Sequence, residues 1–401
     1  MLEVSKRGKE IQASPIRKLV PLAEKAKKEG IKVYHLNIGQ PDIPTPEPIL
    51  NSIKNYNEKI LSYGHSQGLW DLRVSISNYF SKYNLEVLPE EVLITIAGSE
   101  AIHFAFSVVA DSGDEIIIPE PYYTNYNGYA SFANVKIVPL TTKAEDGFHL
   151  PKIEEILKKI TKKTKAILLC SPNNPTGTIF KEEEMLMVSE ICKKYNLFLI
   201  SDEVYREFAY DGEKVTSVLS LKGMEEHSIL VDSVSKRFSS CGARVGAIVT
   251  KNKKIMEALI KFAQARLCPP TIEQIGALAG YNMDLSYFEP IKEEYKKRRD
   301  AMFEGCKKIE GAFVKLPKGA FYMIVKLPIK DSDHFAEWLL SSYALNGETV
   351  MVAPGSGFYG TNGLGKDEIR LAYVLNVEDI RKAMFILKEG LEKYKKFRGL
   401  I

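Results

Sequence analysis

Short apolar runs alternate with longer amphipathic segments from residue 92 to residue 249. The apolar runs have the length and composition of buried strands, and the segments between them have the spacing of helices. The predicted strands cover residues 92–96, 115–118, 135–138, 166–170, 197–200, 229–231 and 245–249. Because nearly continuous apolar strands alternate with helices, the sequence predicts an α/β fold, in which helices cover both faces of a mostly parallel sheet.

The C-terminal part of the sequence has a different pattern. Three long helical segments, at 251–266, 272–283 and 290–309, precede shorter strand and helix signals that predict a smaller α+β region. The predicted strands of this region cover residues 313–316, 321–325, 349–352 and 369–373, and its helices cover 333–343 and 377–395. At the other end of the chain, a helix is predicted over residues 14–28, and a strand follows it from residue 33.

The chain length of 401 residues exceeds what one small core uses, so a large domain and a smaller one are expected. We predict that residues 1–45 form an N-terminal arm and part of the small domain. Residues 46–285 are predicted to form the large domain, and residues 286–401 the remainder of the small one. The smaller α+β domain would then be built from both chain ends.

Charge and cysteine content argue against several classes of protein. The sequence has 55 Lys+Arg and 51 Asp+Glu, a net charge of +4. Because the lysines are spread along amphipathic segments, a nucleic-acid-binding surface is not indicated. No apolar run approaches the roughly 20 residues that cross a bilayer, and no secretory signal is apparent, so neither membrane insertion nor secretion is expected. The cysteines form no C-x-x-C pair and the histidines have no metal-ligand spacing, so we expect a cytoplasmic protein without a metal site.

Polar and reactive side chains follow the predicted strands at the points where these end. They are Ser99, Tyr123, Asn174, Asp202, Tyr205, Ser233 and Lys236. Ligands of open parallel sheets bind at the carboxyl ends of the strands, so we expect these side chains to converge on one ligand. Lys236, which lies in a loop of hydroxyl and small residues between two apolar strands, is the candidate reactive group.

The turn at residues 97–101 leads from a predicted strand into a predicted helix. A helix N-terminus presents free backbone N–H groups and the positive end of the helix dipole, which suit a phosphate. Ser99 could equally be an ordinary cap of that helix.

Short motifs occur along the chain in a fixed order. They are Asn173-Asn174-Pro175-Thr176-Gly177, Asp202-x-x-Tyr205, Ser233-x-Ser235-Lys236, Arg244 eight residues later, and Glu368-Ile369-Arg370-Leu371-Ala372-Tyr373. Together they resemble the class I/II aminotransferases, the pyridoxal-phosphate enzymes of fold type I that include aspartate aminotransferase. The resemblance extends from Gly39 to Arg370. It implies ping-pong transfer of an amino group from an L-amino acid to a 2-oxo acid, and a homodimer with active sites at the subunit interface.

The resemblance assigns the catalytic residues and the contacts of the cofactor ring. Lys236 would form the Schiff base with pyridoxal phosphate and carry the proton to and from the substrate α carbon. Asp202 would bind the pyridine nitrogen and keep it protonated. Asn174 and Tyr205 would donate hydrogen bonds to the phenolic oxygen, and Tyr123 would stack on the ring.

The resemblance also implies a binding site for the cofactor phosphate. Its members would be Ser99, the N–H of Glu100, Ser233, Ser235 and Arg244, with Tyr63 reaching in from the neighbouring subunit. The planar fork of an arginine suits a phosphate better than an ammonium group does.

On the substrate side, Arg370 would bind the α-carboxylate, assisted by the Gly39 N–H and Asn174. Ala243 stands where many relatives carry an aromatic residue, and the segment around Arg266 does not match the one that supplies a side-chain arginine in narrow aspartate-specific enzymes. A dicarboxylate preference is therefore not indicated. Arg266 would contact either an acidic substrate or a structural carboxylate of its own chain.

Three functions other than transamination match parts of the sequence. A pyridoxal-phosphate lyase or synthase on the same fold is the alternative, because the same residues set up the same carbanion. A non-catalytic effector module of a transcription regulator is disfavoured, since the family pattern starts too close to the N-terminus for a DNA-binding domain. The sequence Gly355-Ser356-Gly357-Phe358-Tyr359-Gly360 matches a dinucleotide motif, but residues 361–365 are a poor candidate for the helix that this motif requires.

Overall fold

The computed structural model describes residues 2–399 of the chain. Its strands are β1 (Lys32–His35), β2 (Val92–Ile96), β3 (Glu115–Glu120), β4 (Lys136–Thr141), β5 (Thr164–Cys170), β6 (Phe198–Asp202), β7 (Ser228–Ser233), β8 (Val245–Val249), β9 (Tyr322–Lys326), β10 (Glu348–Met351), β11 (Ala353–Pro354) and β12 (Glu368–Ala372). Its α-helices are α1 (Lys6–Glu10), α2 (Val20–Lys28), α3 (Glu47–Lys54), α4 (Trp70–Ser81), α5 (Ala97–Val109), α6 (Tyr126–Ala133), α7 (Ile153–Leu157), α8 (Glu182–Tyr195), α9 (Val234–Arg237), α10 (Lys253–Arg266), α11 (Thr271–Tyr281), α12 (Phe288–Lys307), α13 (Ser332–Ser341) and α14 (Val377–Phe397).

A seven-stranded sheet in the order β2-β8-β7-β6-β5-β3-β4 forms the centre of the larger part of the fold. Strands β3 to β7 pair in parallel, and β8 runs antiparallel to both of its neighbours. The mostly parallel sheet predicted from the apolar runs is therefore confirmed. Because β5, β6 and β7 run in parallel, their carboxyl ends meet at one edge of the sheet, where residues 170, 202 and 233 lie side by side.

Helices cover both faces of this sheet. In β3, Ile116 and Ile118 pack on one face with Phe106 of α5, while Ile117 packs on the other face with Ile191 of α8. Successive side chains of a strand point to opposite faces, so a strand buried on both sides must be apolar throughout. Each fully buried isoleucine contributes about 2 kcal/mol of hydrophobic stabilisation. This packing against the helices holds the sheet in a fixed position.

The smaller part of the fold joins the two ends of the chain. Strand β1 pairs in parallel with β10, and β12 lies between β11 and β9 in a three-stranded antiparallel sheet. Leu36, which follows β1, shares a buried cluster with Leu371 of β12 and Leu387 of α14. This packing supports the predicted small domain built from both ends, and the boundaries at residues 45 and 285 stay a prediction.

Two predicted elements differ from the observed ones. The strand predicted over 313–316 is reduced to a single bridge between Phe313 and Lys326. Beyond this bridge the segment turns towards the large sheet, where the N–H groups of Lys318 and Gly319 both donate to the carbonyl oxygen of Gly177. The N-terminal helix begins at Val20 rather than at residue 14, since residues 15–19 form turns. Within residues 2–399, no helix has both the length and the apolar composition needed to cross a bilayer.

Candidate active site

A cavity of about 640 Å³ opens where the carboxyl ends of β5, β6 and β7 face the smaller part of the fold. It is lined by most of the residues that the sequence singled out. These are Gly39, Ser99, Tyr123, Asn174, Asp202, Tyr205, Ser233, Ser235, Lys236, Arg244 and Arg370. Two predicted residues, Glu100 and Tyr63, do not line it. The expected convergence at the sheet edge is thus observed.

Lys236 lies on the single helical turn that follows β7. The Ser233 hydroxyl accepts a hydrogen bond from the Ser235 N–H at 3.2 Å, which fixes the start of this turn. The half-buried Lys236 Nζ donates to the carbonyl oxygen of Gly39 at 2.9 Å and lies 3.7 Å from Cys241 Sγ. The amine is therefore held between the sheet edge and the segment that follows β1.

Asp202 is the last residue of β6, and its carboxylate is buried. Oδ2 accepts a hydrogen bond from Tyr126 Oη at 2.6 Å, and the Val204 N–H lies 3.4 Å from Oδ1. Burial raises the pKa of Asp202 to about 6, and the nearby Asp232 carboxylate adds to the rise. No cationic side chain of residues 2–399 forms an ion pair with Asp202, so a cationic ligand group would stabilise its charged form.

Arg370 projects from β12 into the opposite side of the cavity and is 2% exposed. One guanidinium nitrogen donates to Asn174 Oδ1 at 3.1 Å, and another donates to the carbonyl oxygen of Asn37. The guanidinium carbon lies 4.7 Å from the ring centre of Tyr322 and 4.9 Å from that of Phe358.

Arg370 has no carboxylate partner within the described part of the chain, and burial lowers its pKa. Its Nε has no hydrogen-bond partner there either. A buried charge without a counter-ion is costly, so this guanidinium indicates an anionic ligand.

Asn174 connects Arg370 to two tyrosines. Its Nδ2 donates to Tyr205 Oη at 3.4 Å, and Tyr205 Oη lies 2.9 Å from Tyr322 Oη. Tyr322 also excludes a side chain at Gly39, because a Cβ added there would overlap its hydroxyl group. The contact between Gly39 and Tyr322 brings the backbone of the N-terminal part close to the tyrosine network.

The start of α5 carries no side-chain cap. The residue before it, Ile96, makes no capping hydrogen bond, and Ser99 lies inside the helix rather than at its cap position. The ordinary-cap alternative for Ser99 is therefore wrong. Ser99 Oγ lies 3.4 Å from a guanidinium nitrogen of Arg244, which is exposed and forms no ion pair in the described range. Hydroxyl groups, a guanidinium and free N–H groups together make a site for a phosphate.

Tyr123 and Tyr63 occupy different environments. The Tyr123 ring lies half-buried at the cavity wall, 5.5 Å from the Tyr126 ring centre and perpendicular to it. Tyr63 is 82% exposed, on a segment where Ile60 and Leu61 are exposed as well. A single copy of the chain therefore does not place Tyr63 in its own cavity.

Arg266 has a structural role. Its guanidinium contacts Glu100 Oε2 at 3.0 Å and donates to the carbonyl oxygen of Ser66 at 3.0 Å. Arg266 does not line the cavity. Of its two predicted roles, the ion pair with a structural carboxylate is therefore the one observed. Ala243 does not line the cavity either and packs against the core of the large sheet.

The segment that matches a dinucleotide motif forms one 3-10 turn, Gly355–Phe358, followed by further turns instead of a helix. Gly357 contacts Pro15 so closely that an added Cβ would overlap the proline ring. The Phe358 carbonyl oxygen accepts a hydrogen bond from the Tyr122 N–H at 2.9 Å. These glycines therefore serve close packing at the edge of the cavity.

Sequence reasoning missed several residues of the cavity, and three of them bear directly on its charged and reactive groups. Tyr126 supports Asp202, Cys241 contacts Lys236, and Arg17 brings a further positive charge. Cys241 could have been noticed, because it lies five residues after the reactive lysine. The positions of Tyr126 and Arg17 depend on contacts between distant segments, which no local pattern reveals.

A lysine and a buried carboxylate lie at the carboxyl edge of the α/β sheet, and a buried arginine of β12 faces them from the smaller part of the fold. This is the architecture of the fold type I transferases. The chain belongs to the aminotransferase class I and II family, whose model matches residues 31–386. It is 30% identical over 404 residues to an aspartate aminotransferase of Bacillus subtilis, with 98% of this chain and 100% of the relative covered. It is 32% identical over 388 residues to an aspartate aminotransferase of Pyrococcus horikoshii, with 95% of each chain covered.

A solved structure of an alanine aminotransferase from Pyrococcus furiosus superposes with a TM-score of 0.88 at 31% identity, covering 98% of this chain and 100% of that one. The fold, the dependence on pyridoxal phosphate and the transfer of amino groups between amino acids and oxo acids are thereby shown for this chain. The lyase or synthase alternative is not favoured by these relatives.

Proposed function

We propose that the cavity is the active site of this aminotransferase and that Lys236 is its proton carrier. The observation that carries the proposal is the buried Arg370, which has no carboxylate partner in residues 2–399 and lines the same cavity as the Lys236 amine. An arginine that binds the substrate carboxylate fixes the direction of the α C–H bond relative to the lysine.

The residues present fit pyridoxal phosphate. The uncapped start of α5, the Ser99 hydroxyl and Arg244 suit its phosphate, while the Asp202 carboxylate suits a protonated ring nitrogen. When bound, the cofactor supplies an aldehyde that condenses with amines and a ring that withdraws electrons from the substrate α carbon. Ser233, Ser235 and the Glu100 N–H complete the proposed phosphate site.

Asp202 would hold a proton on the ring nitrogen by charge. Its pKa, raised by burial in the cofactor-free protein, falls again when a cationic group binds beside it. Tyr126 keeps the carboxylate in place through its 2.6 Å hydrogen bond. Asn174 and Tyr205 would donate to the phenolic oxygen, and Tyr123 would cover one ring face.

Lys236 would act once substrate has released its amine. The neutral Lys236 amine would accept the proton that leaves the substrate α carbon. The ammonium group so formed would then donate that proton to the former aldehyde carbon of the cofactor. The hydrogen bond of 2.9 Å to the Gly39 carbonyl oxygen holds the amine near the place where the Arg370-bound substrate would lie. The Gly39 N–H and Asn174 would complete the carboxylate site around Arg370.

A homodimer with shared active sites is the second part of the proposal. Tyr63 is 82% exposed and lies beside exposed Ile60 and Leu61, which is the composition of an interface segment. In a symmetric dimer this segment would cover the partner's cavity, and Tyr63 would reach the partner's phosphate site. We expect light scattering to give twice the chain mass, and the phenylalanine variant Tyr63→Phe to bind the cofactor more weakly without dissociating. A monomeric active enzyme would contradict this part.

We also propose a cytoplasmic location, which the five unpaired cysteines support.

The function is tested with the cofactor-loaded protein and a panel of L-amino acids, with 2-oxoglutarate as the acceptor. Oxo acid, pyruvate and free ammonia are measured separately for each donor. We expect equal amounts of new amino acid and new oxo acid, and no ammonia, because the amino group is transferred rather than released. Ammonia formed in step with donor consumption would instead establish elimination.

A further inference from the structure

We propose that Arg17 binds the second carboxylate of a dicarboxylic amino-acid or oxo-acid substrate. This inference rests on the proposed function of the cavity, which Arg17 lines together with Lys236 and Arg370. It assigns substrate selection to a residue of the N-terminal segment, which contains none of the motifs described above.

The charges that line the cavity leave Arg17 without a function in cofactor binding. The charged lining residues of the described chain are Arg17, Asp202, Lys236, Arg244 and Arg370. The proposed site uses Arg244 for the phosphate, Asp202 for the ring nitrogen, Lys236 for the covalent bond and Arg370 for the α-carboxylate. The Arg17 guanidinium remains, and at the cavity wall it is available to bind the second carboxylate of a substrate.

Arg17 lies on the substrate side of the cavity rather than on the phosphate side. The carbonyl oxygen of its neighbour Ile16 accepts a hydrogen bond from Asn37 Nδ2 at 3.4 Å. The carbonyl oxygen of the same Asn37 accepts a hydrogen bond from Arg370. The backbone next to Arg17 is therefore connected through Ile16 and Asn37 to the arginine that would hold the α-carboxylate.

The backbone beneath Arg17 is fixed, whereas its side chain is free to bind. The N–H groups of Arg17 and Lys18 both donate to the Ser14 carbonyl oxygen at 3.1 Å, which closes a turn. Pro15 packs against Gly357, and Lys18 forms an ion pair with Asp333. The Arg17 side chain itself is exposed and forms no ion pair within residues 2–399.

Arg266, the other arginine that could bind a side-chain carboxylate of the substrate, already has a carboxylate partner. Arg266 is held by Glu100 at 3.0 Å and by the Ser66 carbonyl oxygen, away from the cavity. The polar side chains of Gln40 and Asn125, by contrast, line the cavity with Arg17 and offer donors to a second carboxylate.

The test compares two inert ligands of the cofactor-loaded enzyme by titration calorimetry. Glutarate carries two carboxylates and valerate carries one on the same five-carbon chain. We expect Arg17→Gln to weaken glutarate binding by roughly tenfold to hundredfold, which is the loss of a hydrogen-bonded charge pair, and to change valerate binding by less than roughly threefold. Arg17→Lys should keep part of the preference, because an ammonium group retains the charge but not the fork.

The matched control is Lys25→Gln, which removes an equal charge from the exposed surface of α2, outside the cavity, and keeps the ion pair between Lys18 and Asp333. Its ratio of glutarate to valerate affinity should equal that of the natural protein. Equal weakening of both ligands by Arg17→Gln would overturn the proposal, since it would show a general effect on the cavity. An unchanged ratio in Arg17→Gln would overturn it as well.

A failure of the underlying site is recognised separately with Arg370→Gln. This variant should weaken both ligands, because both carry the carboxylate that Arg370 would bind. If Arg370→Gln leaves both affinities unchanged, the carboxylate site itself is wrongly assigned, whatever Arg17 does. Circular dichroism of each variant shows whether the fold is retained.

Discussion

Replacing Lys236 with alanine is expected to lower the rate of transamination by roughly a thousandfold or more, because it removes both the covalent attachment point and the proton carrier. The amine donates a hydrogen bond to the Gly39 carbonyl oxygen at 2.9 Å, and no other lysine of residues 2–399 lines the cavity. The rate is measured in single turnover, as oxo acid formed from cofactor-loaded enzyme and an excess of donor amino acid.

A spectroscopic readout separates loss of chemistry from loss of cofactor. The natural protein should show the visible absorption of a cofactor bound covalently to a lysine, whereas Lys236→Ala should bind the cofactor without that absorption band. Lys254→Ala, in the exposed first turn of α10, serves as the control and should keep both rate and spectrum. Retention of more than a few per cent of the natural rate in Lys236→Ala would remove this lysine from the proposed mechanism.

The sheet and the residues at its edge were predictable because burial on both faces leaves a clear signature in the sequence. Strands β6 and β7 each have an apolar run, residues 198–200 and 229–231, followed by two polar residues. The end of the apolar run therefore predicts both the end of the strand and the position of the site residues. The direction of β8 was not readable, because a buried strand has the same composition whichever way it runs. The strand expected at 313–316 is a single bridge, because the chain that follows it bonds to Gly177, and a contact between such distant segments leaves no local pattern in the sequence.

The supporting contacts of the site were less predictable than its reactive groups. Asp202 was identified from its place at a strand end, but its hydrogen bond to Tyr126 joins residues 76 positions apart. For Arg266 and Arg17 too, the role of the side chain depends on contacts between distant segments. The sequence left Arg266 open between a substrate contact and a structural ion pair, and the structure pairs it with Glu100. Arg17 was not predicted as a site residue, and it lines the cavity.

Asp202→Asn is expected to lower the rate of transamination by roughly a hundredfold or more. An amide cannot hold a proton on the ring nitrogen by charge, so the electrons left at the substrate α carbon are stabilised less. The asparagine oxygen can still accept the hydrogen bond from Tyr126, which keeps the side chain in place. The effect should appear in the rate of proton removal from an α-deuterated donor, with little change in the affinity for glutarate.

The same substitution should stabilise the cofactor-free protein at neutral and alkaline pH. Burial raises the pKa of Asp202 to about 6, above the value of about 4 for an aspartate in an unfolded chain. Between these two values the folded protein binds the additional proton, so the free energy of unfolding falls as the pH rises from about 4 to about 6 and stays low above it. Asparagine carries no charge and avoids a loss of about 3 kcal/mol.

Cofactor-free Asp202→Asn should therefore unfold at higher urea concentration than the natural protein at pH 8, and the difference should shrink towards zero as the pH approaches 4. The exposed Asp111→Asn removes the same charge from the surface and should show no such dependence on pH. With the cofactor bound, the order at pH 8 should reverse, because the protonated ring nitrogen pairs with the Asp202 carboxylate but not with an amide. If the variant stays more stable than the natural protein at pH 8 with the cofactor bound, the proposed contact between Asp202 and the ring nitrogen is wrong.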